Sequence, residues 1–459
     1  MERYEEPLST VDYSWLRMER PHNSMMITGI MTFDRTPDRE RLKEGLRELA
    51  DSFPRFRCRI RDGKAPVWEE CEDFDCDEHY DERTLELPAD RGVLRRAISD
   101  LVSTPLPFDR PLWRFHLLKN PVDGRAVLLS RIHHTMGDGF AMMYVMNTLT
   151  DPGPERTRQP PPPPRTSHQP SAWARLEHLT RAAAAAFENV RHTPREEIVN
   201  AAMAVGGDVW RLLALSNQPE TRLRRPLGSR KQAAWSAPAS VARVKATGKG
   251  LGGTINDVLM AAVAGSIGAY LREEGENGFD LRTVVPVNLR QNEAEMKRLG
   301  NHFGLVFLEL PVHVDDPVRR FAITKERMDA LKHSPEALLL WQILRVVGAA
   351  PAWVEELVIY ILGMKSTAVM TNVPGPRERR YLAGEPIQTI MFWVPSSGNV
   401  GLGISVFSYA GSVRLGISVD THLVREPQRI LAHFPKELER LARAAGLEEQ
   451  EPARPTTGA

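Results

Sequence analysis

The stretch RIHHTMGDGF (131–140) decides how the chain is read. RAVLLSRIHH (125–134), which runs into it, reads as a strand, and GFAMMYVMNTL (139–149), which overlaps its end, reads as a helix. Side chains alternate along a strand, so His133 and His134 point to opposite sides, one toward a cavity and one into structure. Asp138 lies past the turn, and Gly139 removes side-chain bulk where the helix begins. An unperturbed imidazole titrates near ~6.5, so a neutral ring is available at pH 7 to take a proton from a hydroxyl. A base positioned in this way contributes ~10²–10⁴ in rate. Two readings of the pair stand side by side: catalytic groups, or a histidine couple satisfied within a polar turn. A zinc site fits less well, because His-x-x-x-His helical spacing is missing and Asp138 alone does not complete a ligand set.

Length and composition bound the rest. The 459 residues suffice for two or three domains, and 42% hydrophobic with 26% charged residues is the balance of a globular protein with real cores. A formal net charge of +1 gives no electrostatic case for nucleic acid. Three cysteines, Cys58, Cys71 and Cys76, argue against a disulfide framework and fit a reducing cytoplasm. Cys71, Cys76 and His79 lack a second ligand pair for zinc. The charged N-terminus MERYEEPLSTVDYSWL (1–16) does not read as a signal peptide. The long uncharged run 386–413 is broken by Pro395, Gly398, Gly401 and Gly403, and reads as buried sheet, not as a membrane helix.

Strand and helix patterns alternate on both sides of a proline-rich segment. SMMITGIMTF (24–33) reads as a strand, and DRERLKEGLRELADSF (38–53) as an amphipathic helix with Leu42, Leu46 and Leu49 on one face. We therefore expect a first domain over 1–150, a semi-rigid linker over 151–172, a second domain over 173–450 and a disordered tail over 451–459. After the linker, helical patterns run through 181–190 and 196–215. GKGLGGTINDVLMAAVAGSIGAYL (248–271) reads as a glycine-rich loop opening a helix, with Thr254 and Asp257 forming a capping box. No Lys-Ser or Lys-Thr pair follows the glycines, so they are not a phosphate cradle. LRTVVPVNLR (281–290) is a strand ending in arginine, and 400–420 reads as a hairpin turning at Ala410–Gly411. AGSIG (264–268) lies inside the helix and lacks the first glycine of a nucleophile elbow, which discounts a serine hydrolase.

Several separated segments together resemble the bacterial wax ester synthase/diacylglycerol acyltransferase family, within the CoA-dependent acyltransferases that carry His-x-x-x-Asp. They are PLSTVD (7–12), PLW (111–113), HHTMGDG (133–139), TINDVLMAA (254–262), VPVNLR (285–290) and TNVPGP (371–376). Their order and spacing agree from about residue 6 to about residue 445. One departure is NSMMITG (23–29), which lacks the histidine of the family's Met-His pair. The resemblance implies an α/β fold of two chloramphenicol-acetyltransferase-like domains, with the active-site channel between them. It implies that His134 is the general base and His133 its support. Asp138 is implied to be structural, turned from substrate and paired with Arg290, with Gly139 supporting the turn. Asn256 becomes a candidate oxyanion donor beside Asp257, although a first-turn asparagine can equally order the start of a helix. Trp113, Trp341 and Trp353 are candidates to line an acyl site, Trp113 being also suited to packing against the catalytic strand.

The implied reaction is O-acyl transfer from a long-chain acyl-CoA to diacylglycerol, a long-chain alcohol, or both, with no metal or redox cofactor. Such acceptors partition into lipid, so the protein is expected in the cytoplasm, peripheral to the inner face of the membrane or to lipid droplets, as a monomer or homodimer. The segment 334–365 carries two strongly apolar helical patterns meeting near Pro351. It suits either an interfacial helix pair, with Lys332, Arg345 and Lys365 at headgroups and Trp341 and Trp353 dipping inward, or a hairpin lining an acyl tunnel. Alternatives are a carrier-protein-dependent transferase, a peptide-condensation enzyme and a non-catalytic lipid binder.

Overall fold

The computed structural model describes residues 4–155 and 215–448, apart from residue 64 and parts of 291–296, 333–349 and 396–397. Most of the proline-rich segment, the helical patterns at 181–190 and 196–214, much of the first half of 334–365 including Arg345, and the tail 451–459 lie outside the described residues.

Alternating apolar residues build a first sheet from β1 (Met26–Phe33), β2 (Tyr80–Thr84), β3 (Trp113–Lys119) and β4 (Ala126–His133). The second sheet takes β5 (Lys231–Trp235), β6 (Leu281–Asn288), β7 (Phe303–Leu310) and β8 (Ala368–Pro374). Next in the chain comes β9 (Thr389–Trp393), and then the hairpin β10 (Leu402–Tyr409) and β11 (Ser412–Asp420). The order in the first sheet is β9-β1-β4-β3-β2, and the path through the second is β7-β6-β8-β10-β11-β5. The first sheet therefore borrows β9 from the second half: Thr389 to Trp393 pair antiparallel with Thr32 to Thr28. The hairpin turns as read, with Ala410 and Gly411 both at positive φ, the backbone of a two-residue turn matched to strand twist.

Helices α1 (Thr10–Arg17), α2 (Arg39–Ser52), α3 (Arg91–Val102) and α4 (Gly139–Leu149) belong to the first half. In α2, Leu42, Leu46 and Leu49 are buried in the core that also holds β1, β3 and β4. The second core lies around α5 (Val241–Gly250), α6 (Ile255–Glu273), α7 (Pro317–Lys332) and α9 (Pro427–Ala444), preceded in the chain by α8 (Ala352–Met364). Nearly every side chain of α6 from Asp257 to Leu271 is buried, as its unbroken apolar sequence requires.

One expectation is corrected. Gly248 and Gly250 are not loop residues but close α5, which packs tightly on the start of α6. A Cβ at Gly248 would sit 3.0 Å from the Thr254 carbonyl oxygen, so glycine serves close backbone approach there, not flexibility. Among the described residues no single helix is long and apolar enough to cross a membrane.

Candidate active site

Strand β4 stops at His133, and the chain tightens into a single 3-10 turn, His134–Met136. The divergence of the two histidines thus comes from the end of the strand as much as from its alternation. The His133 ring caps the turn: its Nδ1 accepts the Thr135 amide at 3.1 Å. Its Nε2 lies 3.5 Å from the Glu19 carboxylate. Glu19 also accepts the Met25 amide, and the Met25 carbonyl accepts the His134 amide at 2.7 Å. His133 therefore braces the backbone that carries His134.

The His134 ring stacks on Trp15 of α1, with centroids 4.0 Å apart and planes 18° from parallel, and Phe303 flanks it at 5.9 Å. These rings join Val11, Met18 and Met25 in a small apolar cluster, against which Leu305 and Ile359 of α8 also pack. Helix α8 is pinned there by Glu355, which pairs with Arg17 of α1 and whose carboxyl is pushed up to about 7 by burial. His134 is 7% exposed, and its Nδ1 is enclosed without a hydrogen-bond partner among the described residues. Burial pushes its pKa down to about 4, with Asp138 opposing weakly and His133 adding to the fall. The ring is accordingly neutral at pH 7.

The expected pair between Asp138 and Arg290 is present. Asp138 Oδ2 accepts Arg290 Nη1 at 2.6 Å and the His302 amide at 2.9 Å, while Oδ1 caps α4 through the amides of Phe140 and Ala141. Arg290 also donates to the carbonyls of Gly300 and Glu295. Both side chains are nearly fully buried. Backbone contact reinforces this: Gly137 bridges Gly300, which adopts a φ of +103°. A Cβ at Gly137 would fall 2.8 Å from Ala141 Cβ.

Residues that motif reading passed over complete the support. Asn301 Nδ2 donates to the His134 carbonyl and to Asp12 Oδ1, both at 2.8 Å. Asp12 also accepts the Asn301 amide and Arg55 Nη1, and its carbonyl accepts the Thr135 hydroxyl at 2.6 Å. The aspartate of PLSTVD and the asparagine after Gly300 were the available signals, but nothing in either segment alone says that the two meet.

Other expected residues stand elsewhere. Asn256 Oδ1 accepts Asn372 Nδ2 at 2.6 Å, joining the TINDV and TNVPGP segments; no hydrogen bond links Asn256 to the His134 turn among the described residues. Asp257 forms the capping box with Thr254 at the start of α6. Trp113 is spent in the core, donating to the Phe56 carbonyl at 2.8 Å and stacking on His79. Trp341 lies near the ring of His302, 5.3 Å away. Trp353 is 62% exposed on α8, with Leu357 and Tyr360 at 50% and 51%, so it faces outward and does not line the site. Lys365 does not reach toward solvent either: it is buried and donates to the Leu215 carbonyl, because the chain after the linker packs over it.

Comparison with known proteins fixes the family. Residues 8–259 match the wax ester synthase/diacylglycerol acyltransferase catalytic domain, and 299–442 the WS/DGAT C-terminal domain. The chain belongs to the wax ester synthase/diacylglycerol acyltransferase family. It is an acyltransferase. A Mycobacterium tuberculosis H37Rv protein described as a probable diacylglycerol O-acyltransferase, tgs1, is 26% identical over 443 residues, covering 91% of this chain and 92% of that one. A second protein of that strain, also a diacylglycerol O-acyltransferase by name, is 28% identical over 403 residues, 83% of this chain and 82% of its own. The Marinobacter aquaeolei VT8 wax ester synthase/diacylglycerol acyltransferase structure superposes with a TM-score of 0.70 at 22% identity, covering 96% of this chain and all of that one. The first condensation domain of the calcium-dependent antibiotic synthetase follows at 0.62 and 17%, covering 96% of each chain. These likenesses establish the shared fold of two chloramphenicol-acetyltransferase-like halves.

Two outcomes follow from this geometry. Asp138→Ala leaves Arg290 buried without its carboxylate and should cost ~3–5 kcal/mol in denaturant unfolding, together with activity. The acid limb of kcat/KM should lie below the ordinary histidine range: burial keeps His134 neutral as pH falls through 6.5, so a pH–rate profile should hold its plateau there and decline only toward about 4.

Proposed function

We propose that this protein transfers a long-chain acyl group from acyl-CoA to the hydroxyl of diacylglycerol, a long-chain alcohol, or both, with His134 as general base. The observation that carries the reading is a buried, neutral His134 imidazole stacked on Trp15, on a turn held by the Asn301–Asp12 clamp. Nε2 takes the acceptor's hydroxyl proton as the oxygen attacks the thioester carbonyl, giving a tetrahedral intermediate. Collapse breaks the carbon–sulfur bond, and the imidazolium returns its proton to the departing thiolate, leaving ester and free CoA. Proton transfer and acyl shift make up the whole scheme, so it calls on no metal or redox cofactor. His133, Asp138 with Arg290, and Gly139 act through the position of His134. Asn256, whose Oδ1 is occupied by Asn372, keeps Nδ2 as a donor for the incoming donor substrate.

The acceptor is a lipid, and α8 supports delivery from a lipid surface. Its inner face covers the Trp15–His134 cluster, while Trp353, Leu357 and Tyr360 recur at helical spacing on its outer face. We place the protein in the cytoplasm, docked peripherally by that face on the inner leaflet or on a lipid droplet.

Purified protein supplied with labelled palmitoyl-CoA and either dioleoylglycerol or hexadecanol should yield labelled triacylglycerol or wax ester on thin-layer chromatography. His134→Ala, with an unchanged melting curve, should yield neither. Ester formation only from a carrier-bound donor would move the assignment to a carrier-dependent transferase, and His134-independent lipid binding without turnover to a non-catalytic lipid binder. In flotation with phosphatidylglycerol/dioleoylglycerol vesicles, Trp353→Ser combined with Leu357→Ser should lower the bound fraction severalfold while turnover of soluble short-chain substrates persists.

A further inference from the structure

At the end of the first sheet far from His134 lies a cavity of about 260 Å³, room for roughly 20 water-sized atoms. Ala126 and Val127, which begin β4, line it together with Phe33, which ends β1, so the length of β4, ~23 Å, separates it from His133. Phe33, Leu118 and Val127 give it a buried apolar floor. Leu94 of α3 also lines it, and so do two residues from the second half of the chain, Trp235 of β5 and Thr389 of β9. The cavity therefore straddles the seam where β9 joins β1 and Thr389 pairs with Thr32. Its charged groups are unequally matched. Asp34 and Asp123 flank Arg125, at 4.0 and 3.6 Å, and Asp90 Oδ1 caps α3 by accepting the Val93 amide at 2.8 Å. Arg91, in the lining, has no ion-pair partner among the described residues. Neither has Arg414 of β11, which donates to the Thr389 hydroxyl at 3.2 Å and the Ser236 carbonyl at 3.1 Å. Burial and the nearby Arg91 charge pull the Arg414 guanidinium down to about 10, so two cations meet here without a carboxylate of their own.

We propose that this cavity binds an unesterified fatty carboxylate, with its alkyl chain on the Phe33–Leu118–Val127 floor and its carboxylate between Arg91 and the Thr389 hydroxyl. Thr389 Oγ1 accepts from Arg414, which leaves its own proton to donate to an anion and relays the second cation to the ligand. An apolar floor beside two uncompensated guanidiniums selects an amphiphile with an anionic head. A neutral lipid leaves the cations unmatched, and a small inorganic anion leaves the floor wet. Because the ligand touches both halves of the chain, its binding stabilises their docking. The Arg290–Asp138 and Asn301–His134 contacts, which span the same two halves, are stabilised with it.

The test is equilibrium dialysis of the full chain against labelled dodecanoate, with melting curves in its presence and absence, for wild type, Arg91→Glu and Leu94→Trp. Wild type should show a dodecanoate site that Arg91→Glu weakens roughly tenfold or more, the value of a lost charge-assisted contact, and that Leu94→Trp abolishes by filling the cavity. Saturating dodecanoate should raise the melting temperature of wild type more than that of either variant. Arg91 is exposed, so its substitution keeps the test decisive if the tryptophan variant fails to fold. A brominated dodecanoate should quench a tryptophan emission component that Trp235→Phe removes. Dodecanol binding should be the same in wild type and Arg91→Glu. Dodecanoate affinity and stoichiometry unchanged in the folded variants overturn the site, even where the chain binds dodecanoate elsewhere. Dodecanol binding weakened by Arg91→Glu as much as dodecanoate binding overturns the carboxylate, and inorganic phosphate held as tightly as dodecanoate overturns the alkyl chain. The readouts are binding and melting, not turnover, so failure of the acyl-transfer reading leaves this inference standing, and the reverse holds too.

Discussion

The Asp138 carboxylate is the point on which the site depends. It is buried, it ends a strand-and-turn from the first half of the chain, and its cation, Arg290, comes from the second half. A carboxylate withdrawn from water without a cation costs several kcal/mol, so the His134 turn is stable in its observed shape only when Arg290 and the His302 amide are in place. Asp12 and Asn301 repeat the device on the other side of the turn. The His134 turn is thus assembled by the docking of the two halves.

Stacking on Trp15 and burial exclude the water that would favour the imidazolium, and among the described residues no carboxylate hydrogen-bonds Nδ1 to restore the lost basicity. The ring therefore rests neutral. The cost of desolvation is met in the fold, by the apolar cluster of Val11, Met18, Met25 and Phe303, before any substrate arrives.

Local features were legible in the sequence wherever one segment determines them. The strand-turn-helix around His133 and His134, the Leu42–Leu46–Leu49 face, the Thr254–Asp257 box and the hairpin at Ala410–Gly411 each follow from spacing of a few residues. The Asp138–Arg290 pair, 152 residues apart, came from family resemblance and not from periodicity. What stayed hidden shares one trait: Asn301 meets Asp12 across 289 positions, and Trp15 meets His134 through packing that no periodic pattern encodes. The misread residues erred for related reasons. Gly248 looked like loop because composition does not reveal a neighbouring carbonyl, and Lys365 looked like a headgroup anchor because charge does not reveal what packs over it.

The strand β9 has a bearing on how the protein is made. The first sheet cannot close along β1 until residues 389–393 exist, so most of the chain must leave the ribosome before its N-terminal sheet gains its last member. During that interval β1 presents an open row of amides and carbonyls, next to an apolar face, to any passing strand. Synthesis order thus places His133 and His134 in an unfinished sheet for most of translation. The nascent chain has reason to need a chaperone that shields β1, and a truncation before residue 389 is more prone to aggregate than to persist as a free half.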